Sequence, residues 1–220
     1  MQGQSNVLNK VPEITVTFWL AKLITTGLGE SWSDFFDHTW GPLVDLIIGL
    51  SLFDLFLFLQ LRQKRYRPIN YWLTLVGLAV FGTFVADASH GLGLSYRLEL
   101  VLYGGLMVLA FYLWFKKEHS LSIHEITSRS KELFYWITVF CSFVLGTAVG
   151  DFMAHILKLG TLWSGVLLSG LFVIILGLRL RLPQAEVLTF WLAYILTRPI
   201  GASFANYFAY TWHAGQLGVG

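Results

Sequence analysis

Charge is scarce in this chain: only 13% of its 220 residues are Asp, Glu, Lys or Arg, against roughly a quarter in an average soluble domain. So thin a supply cannot clothe a water-facing surface, which excludes an ordinary soluble fold. Cysteine is nearly absent too. Cys141 stands alone in an apolar run, ruling out an intramolecular disulfide and any cysteine-cluster metal site. The start, MQGQSNVLNKVPE, lacks the apolar core of a cleavable signal peptide, so the first long apolar stretch is expected to direct insertion itself. There is no low-complexity segment, Gly-rich phosphate loop, nucleophile elbow or zinc-protease motif, and no enzyme activity is expected. A formal charge of +2 gives no reason to expect a nucleic-acid partner.

Apolar residues are abundant. They make up 55% of the chain, with a mean hydropathy of +0.63. Near-continuous runs of Leu, Val, Phe and Gly recur near 14–36, 41–61, 69–89, 98–115, 132–157, 161–180 and 186–210. Crossing a bilayer takes about 20 residues of helix, and these runs lack the alternation of barrel strands. The expected fold is an all-α integral membrane protein with seven transmembrane helices and the lipid bilayer as its main partner. Short links make neighbours antiparallel. Basic residues Arg62, Lys64, Arg65, Arg67, Lys116, Lys117, Arg129, Lys131, Arg179 and Arg181 fall in alternate loops, which places those loops and the amino terminus in the cytoplasm. The longest loop, 116–131, is expected to hold a short interfacial helix.

The odd-numbered runs share a signature. Trp19, Trp72, Trp136 and Trp191 each follow an aromatic residue, Phe18, Tyr71, Tyr135 or Phe190. Ten residues on come Gly29, Gly82, Gly146 and Gly201, and five further on come Asp34, Asp87, Asp151 and Asn206. The chain therefore reads as a single transmembrane domain, 1–220, of four tandem hairpins near 12–66, 67–128, 129–183 and 184–220. All four first helices run the same way, so the hairpins are expected to be parallel and pseudo-symmetric about an axis along the membrane normal. At 1.5 Å per residue, tryptophan and acid are about 22 Å apart along the helix. Tryptophan is thus expected near the cytoplasmic interface and the acid in the outer membrane half. The glycines, and Gly104 with Gly105, are expected at close helix contacts.

These residues carry a family likeness. In KVPEITVTFW, TTGLGESWSD, VFGTFVADASHGLG, LGTAVGDFMAH and LTRPIGASFANY the chain resembles the bacterial proteins labelled uncharacterised membrane-anchored protein. These have four tandem repeats of unknown function, each with two membrane helices and a characteristic tryptophan. The resemblance runs the length of the chain and implies a multi-pass protein of the bacterial inner membrane, without implying a mechanism. One departure is the end at HAGQLGVG, where an eighth helix would begin, so that either the last hairpin is incomplete or the chain is truncated there.

Ionisable residues at membrane depth usually face a cavity or a partner. Glu30, Asp34, Asp54, Asp87 and Asp151, with Thr83, Thr147 and Asn206, are the expected ion- or substrate-binding set, and Lys22 and Arg198 the compensating charges. Asp54 and Arg198 lie at mid-depth and are expected to pair. His38, His90 and His155 follow Asp34, Asp87 and Asp151 by three or four residues, the spacing of one helical face. Mixed carboxylate and imidazole would suit a divalent transition metal as cargo, and no resident cofactor is expected. The set is net acidic, favouring cations. The expected function is a small transporter or channel for a cation, a divalent transition metal or a proton-coupled solute. The alternative is a non-transporting assembly or sensory module in which the repeat residues serve packing. Either is compatible with a homo-oligomer.

Overall fold

The structure of the protein, a computed structural model, describes residues 9–213. The end of the chain from residue 214, where an eighth helix would begin, lies outside the described residues. Among the described residues seven α-helices follow one another: α1 (Val16–Trp40), α2 (Pro42–Leu61), α3 (Pro68–Gly91), α4 (Tyr96–Glu118), α5 (Arg129–Asp151), α6 (Gly160–Arg181) and α7 (Glu186–His213). No strand occurs among the described residues. Their starts follow from local chemistry. Thr15, Ser95 and Ser128 accept hydrogen bonds from Phe18 N (3.3 Å), Leu98 N (3.4 Å) and Lys131 N (3.2 Å), satisfying first-turn amides. Pro42 and Pro68 open α2 and α3, where a missing amide costs nothing. Gly41, at φ 87°, supplies the one-residue link from α1 to α2, a conformation that a side chain resists.

Two local features refine the expectation. The loop between α4 and α5 holds a short 3₁₀ helix, Ile123–Glu125, anchored by burial of Ile123 and Ile126. The α5 segment ends at Asp151 and continues as a π-helical turn, Phe152–Ile156. Six helices, all but α1, are long and apolar enough to cross a membrane. With 25 residues α1 is long enough, but Lys22, Glu30, Asp34 and Asp37 make it too polar by the same measure.

The odd-numbered helices form a closed centre in which α1 packs on α3, α3 on α5, α5 on α7 and α7 back on α1. Both parts of the repeated signature build these junctions. The aromatic residue of one repeat meets the tryptophan of the next: Phe18 on Trp72 at 5.9 Å, Tyr71 on Trp136 at 5.5 Å, Tyr135 on Trp191 at 6.0 Å and Phe190 on Trp19 at 5.8 Å between ring centres. These tilted contacts suit aromatic quadrupoles. Glycine does the same one layer on. A Cβ at Gly29 would strike Ala79, at Gly82 the Cβ of Phe143 (3.0 Å), at Gly146 the Cβ of Arg198 (2.7 Å) and at Gly201 the side chain of Thr26. Ala79, Phe143, Arg198 and Thr26 occupy one repeat position, seven residues after each tryptophan. Only a missing side chain lets the backbones come this close.

The even-numbered helices lie outside. Each packs chiefly on the inner helix of the following repeat, α2 on α3, α4 on α5 and α6 on α7. Gly77 makes the α2–α3 crossing, where a Cβ would meet Phe53 N at 2.9 Å and Leu52 C at 3.0 Å. Gly104 and Gly105 make no such contact, contrary to expectation, because nothing lies within 4 Å of a Cβ built on either. Polar and apolar residues are distributed in the reverse of a water-soluble bundle. Lys22, Glu30, Thr83, Thr147 and Arg198 are buried at the centre, while Leu43, Ile47, Val108 and Val173 point outward and are 62–73% exposed.

Candidate functional site

Arg198 of α7 is the hub of the buried polar centre. Its Nη1 donates to Thr26 O (2.8 Å), and its Nη2 donates to Glu30 Oε2 (2.7 Å), to Thr147 Oγ1 (3.0 Å) and to Thr83 Oγ1. Asn206 Nδ2 donates to the other Glu30 oxygen at 3.0 Å. All four inner helices therefore contribute to one network. Arg198 and Glu30 have almost no exposed surface. An ion pair this buried holds because most of its other donors and acceptors are also bonded, Arg198 Nε being the exception. The expected residues Glu30, Thr83, Thr147, Asn206 and Arg198 thus come together.

One helical turn beyond Glu30 lie Asp34, Asp87 and Asp151. Their carboxylates interact electrostatically with Glu30 and Arg198, and Asp87 also with Asp34 and Asp151. Asp87 is exposed and the other two are half-buried, so the polar axis opens at this end of the bundle. In the opposite direction the axis fills with side chains. Lys22 Nζ has no hydrogen-bond partner and lies over the rings of Phe143 (4.0 Å) and Tyr194 (4.3 Å). Beyond it the hydroxyls of Tyr71, Tyr135 and Tyr194 form a chain, 2.6 Å from Tyr71 to Tyr135 and 3.4 Å from Tyr135 to Tyr194. These tyrosines, Lys22 and Phe143 are fully buried.

Several expectations are corrected. Asp54 does not pair with Arg198. It is exposed on the outward face of α2, nine residues and so half a turn away in azimuth from buried Asp45. Lys22 has no carboxylate partner either. The carboxylate–imidazole metal set does not form: among the described residues no three of His, Cys, Asp and Glu converge as metal ligands. His90 stacks on Tyr96 at 3.9 Å and approaches Glu99 at 3.4 Å. His155 also stacks on Tyr96 at 5.6 Å, with Nδ1 3.0 Å from the Asp151 carbonyl oxygen. His38 is exposed. The signature tryptophans are not among these corrections: Trp19, Trp136 and Trp191 are buried in the ring junctions and Trp72 partly so.

A second polar cluster went unexpected. At the end of the bundle that carries the basic loops, Asn9 and Lys10 tie the α2–α3 loop to the α4–α5 loop and to α5. Lys10 N donates to Ile126 O (3.0 Å), Asn9 Nδ2 to Ile123 O (3.1 Å), and Asn9 O accepts from Tyr66 N (3.0 Å). Lys10 Nζ lies 2.5 Å from Glu132 Oε2, and Gln60 Nε2 donates to Glu132 Oε1 at 3.0 Å. Replacing Lys10 by methionine strands a buried carboxylate, so a loss of about 3 kcal/mol is expected. Thermal unfolding followed by tryptophan fluorescence measures it, and a change within error would mean that Glu132 is satisfied by other groups.

A family model described as Repeat of Unknown Function (DUF347) matches residues 17–66 and 134–184. No curated protein and no solved structure matches the chain. The matched stretches hold the α1–α2 and α5–α6 hairpins, the first and third copies of the signature, and are similar to that repeat of unknown function.

Proposed function

We propose that the protein is a small multi-pass transporter or channel of the bacterial inner membrane, passing a cation between the acidic mouth of the bundle and the cytoplasm. Its outward apolar faces and inward charges suit a bilayer. The basic loops set the orientation, with the amino terminus cytoplasmic, and the four hairpins surround an axis along the membrane normal. Asp34, Asp87 and Asp151 form the receiving site at the outer mouth, and the Arg198–Glu30 pair closes the path beneath it. One observation carries this: three carboxylates sit at equal positions in three repeats, one exposed and two half-buried, yet electrostatically linked to a buried ion pair. Without convergent histidines, a hydrated cation or a proton-coupled solute fits better than a metal ion stripped of its water. The chemistry is binding and passage, and no bond is broken.

The experiment uses purified protein in proteoliposomes holding a pH-sensitive or a metal-sensitive dye. Asp87→Asn combined with Asp151→Asn is expected to cut flux about a hundredfold, since each of the two lost cation contacts, worth about 1.4 kcal/mol, is a factor of ten. Native flux from the double variant sinks the proposal. A second reading, a non-transporting assembly or sensory module, is favoured by the filled axis around Lys22, Phe143 and the three tyrosines. It expects no flux from the native protein and no functional change in the double variant.

A further inference from the structure

We propose that Lys22 is a reversible proton-binding site at the centre of the bundle, and that its proton is the ion coupled to the cation movement proposed above. Lys22 Nζ is fully buried and has no hydrogen-bond partner. Arg198 lies beside it, and the guanidinium is 5.3 Å from the centre of the same Phe143 ring over which Lys22 sits. The two basic groups share a single buried carboxylate, Glu30, and both of its oxygens are taken by Arg198, Thr83 and Asn206. A guanidinium does not give up its proton in a protein. The exchangeable charge in this core is therefore the lysine's. With the proton on Nζ the core holds one positive charge more than Glu30 offsets, and with it gone the core is neutral. The faces of Phe143 and Tyr194 stabilise the ammonium, and no acceptor is stranded when the amine loses its proton. The proton joins and leaves the same nitrogen lone pair, so no other bond changes.

The surroundings give the proton a direction. From α7, Lys22 faces Arg198 and Tyr194; from α3 and α5 the equivalent positions are Leu75 and Val139, which carry no charge. On its own helix Glu30 lies two turns away, leading to the acidic mouth. Toward the basic loops, the hydroxyls of Tyr194, Tyr135 and Tyr71 are linked in a chain of groups that can each donate and accept a proton. Lys22 thus stands between two sets of proton-bearing groups, the acidic mouth on one side and the buried tyrosine hydroxyls on the other.

The test is nitrogen NMR of the full chain, labelled with 15Nζ-lysine and held in lipid nanodiscs. The chain has seven lysines, and Lys22 is assigned by its absence in Lys22→Met, or by its displacement in Phe143→Leu should that first variant fail to fold. The expected result is that the Lys22 nitrogen moves between its ammonium and amine positions as pH is changed over the range in which the protein stays folded. A signal that stays ammonium throughout, or one that responds to the anion present, overturns the proposal, because the charge is then fixed or offset by a bound anion. No cargo is needed. Titration without cation flux removes only the transport reading, while flux with a fixed ammonium removes only the proton site.

Discussion

Replacing Arg198 by methionine is expected to lower the unfolding free energy by roughly 3–5 kcal/mol, the cost of leaving a buried carboxylate without its partner. The guanidinium reaches Glu30, Thr26, Thr83 and Thr147 and so ties α7 to the other three inner helices. Methionine fills much of the volume but returns none of these bonds. Glu30 keeps only Thr83 and Asn206. Pairing the change with Glu30→Gln removes the stranded charge, so the double variant should recover a good part of the loss, a coupling that a double-mutant cycle isolates. Thermal or denaturant unfolding in lipid nanodiscs gives all four corners. A single variant within about 1 kcal/mol of the native protein would show that Glu30 is not held by Arg198, given what such partner removals normally cost.

The second large effect belongs to glycine. Gly29→Ala places a Cβ against Ala79, 3.0 Å from its carbonyl carbon and 3.1 Å from its Cα, and backbone cannot move aside as a side-chain tip can. Separating α1 from α3 at that point is expected to cost about 1–3 kcal/mol, the usual range for overpacking. Gly104→Ala is the control. Nothing stands within 4 Å of its Cβ, so it should be neutral or slightly stabilising through helix propensity. Equal losses at the two sites would mean that the ring junction does not depend on close approach at Gly29.

How much of this was legible follows from where each partner lies. The tryptophan, glycine and acid repeat at fixed spacing, and so did the helices they sit on, because helix length and apolar runs are local properties. The glycine's partner was hidden. It is the residue seven after tryptophan in the next repeat, and there the four copies read Thr26, Ala79, Phe143 and Arg198, four chemistries with no common pattern. Pairing Asp54 with Arg198 rested on depth alone, whereas azimuth decides contact: α2 buries Asp45, Gly49 and Gln60 and turns Asp54 outward. The histidine spacing was real, but α4 supplies Tyr96 and Glu99 at the same level and engages His90 first. Lys10 precedes the first repeat, Gln60 lies in it and Glu132 in the third, and no local pattern announces their meeting.

The hand-over of each outer helix to the following inner helix bears on how the chain is assembled. In an ordinary solenoid a unit contacts only its neighbours, and growth can stop after any of them. Here α2 finds its main surface only when α3 arrives, and α1 meets α7 only after nearly the whole chain has emerged. No hairpin is a finished piece by itself. Stability should therefore accrue late in synthesis, when the last inner helix closes the circle and brings Arg198 to the waiting Glu30.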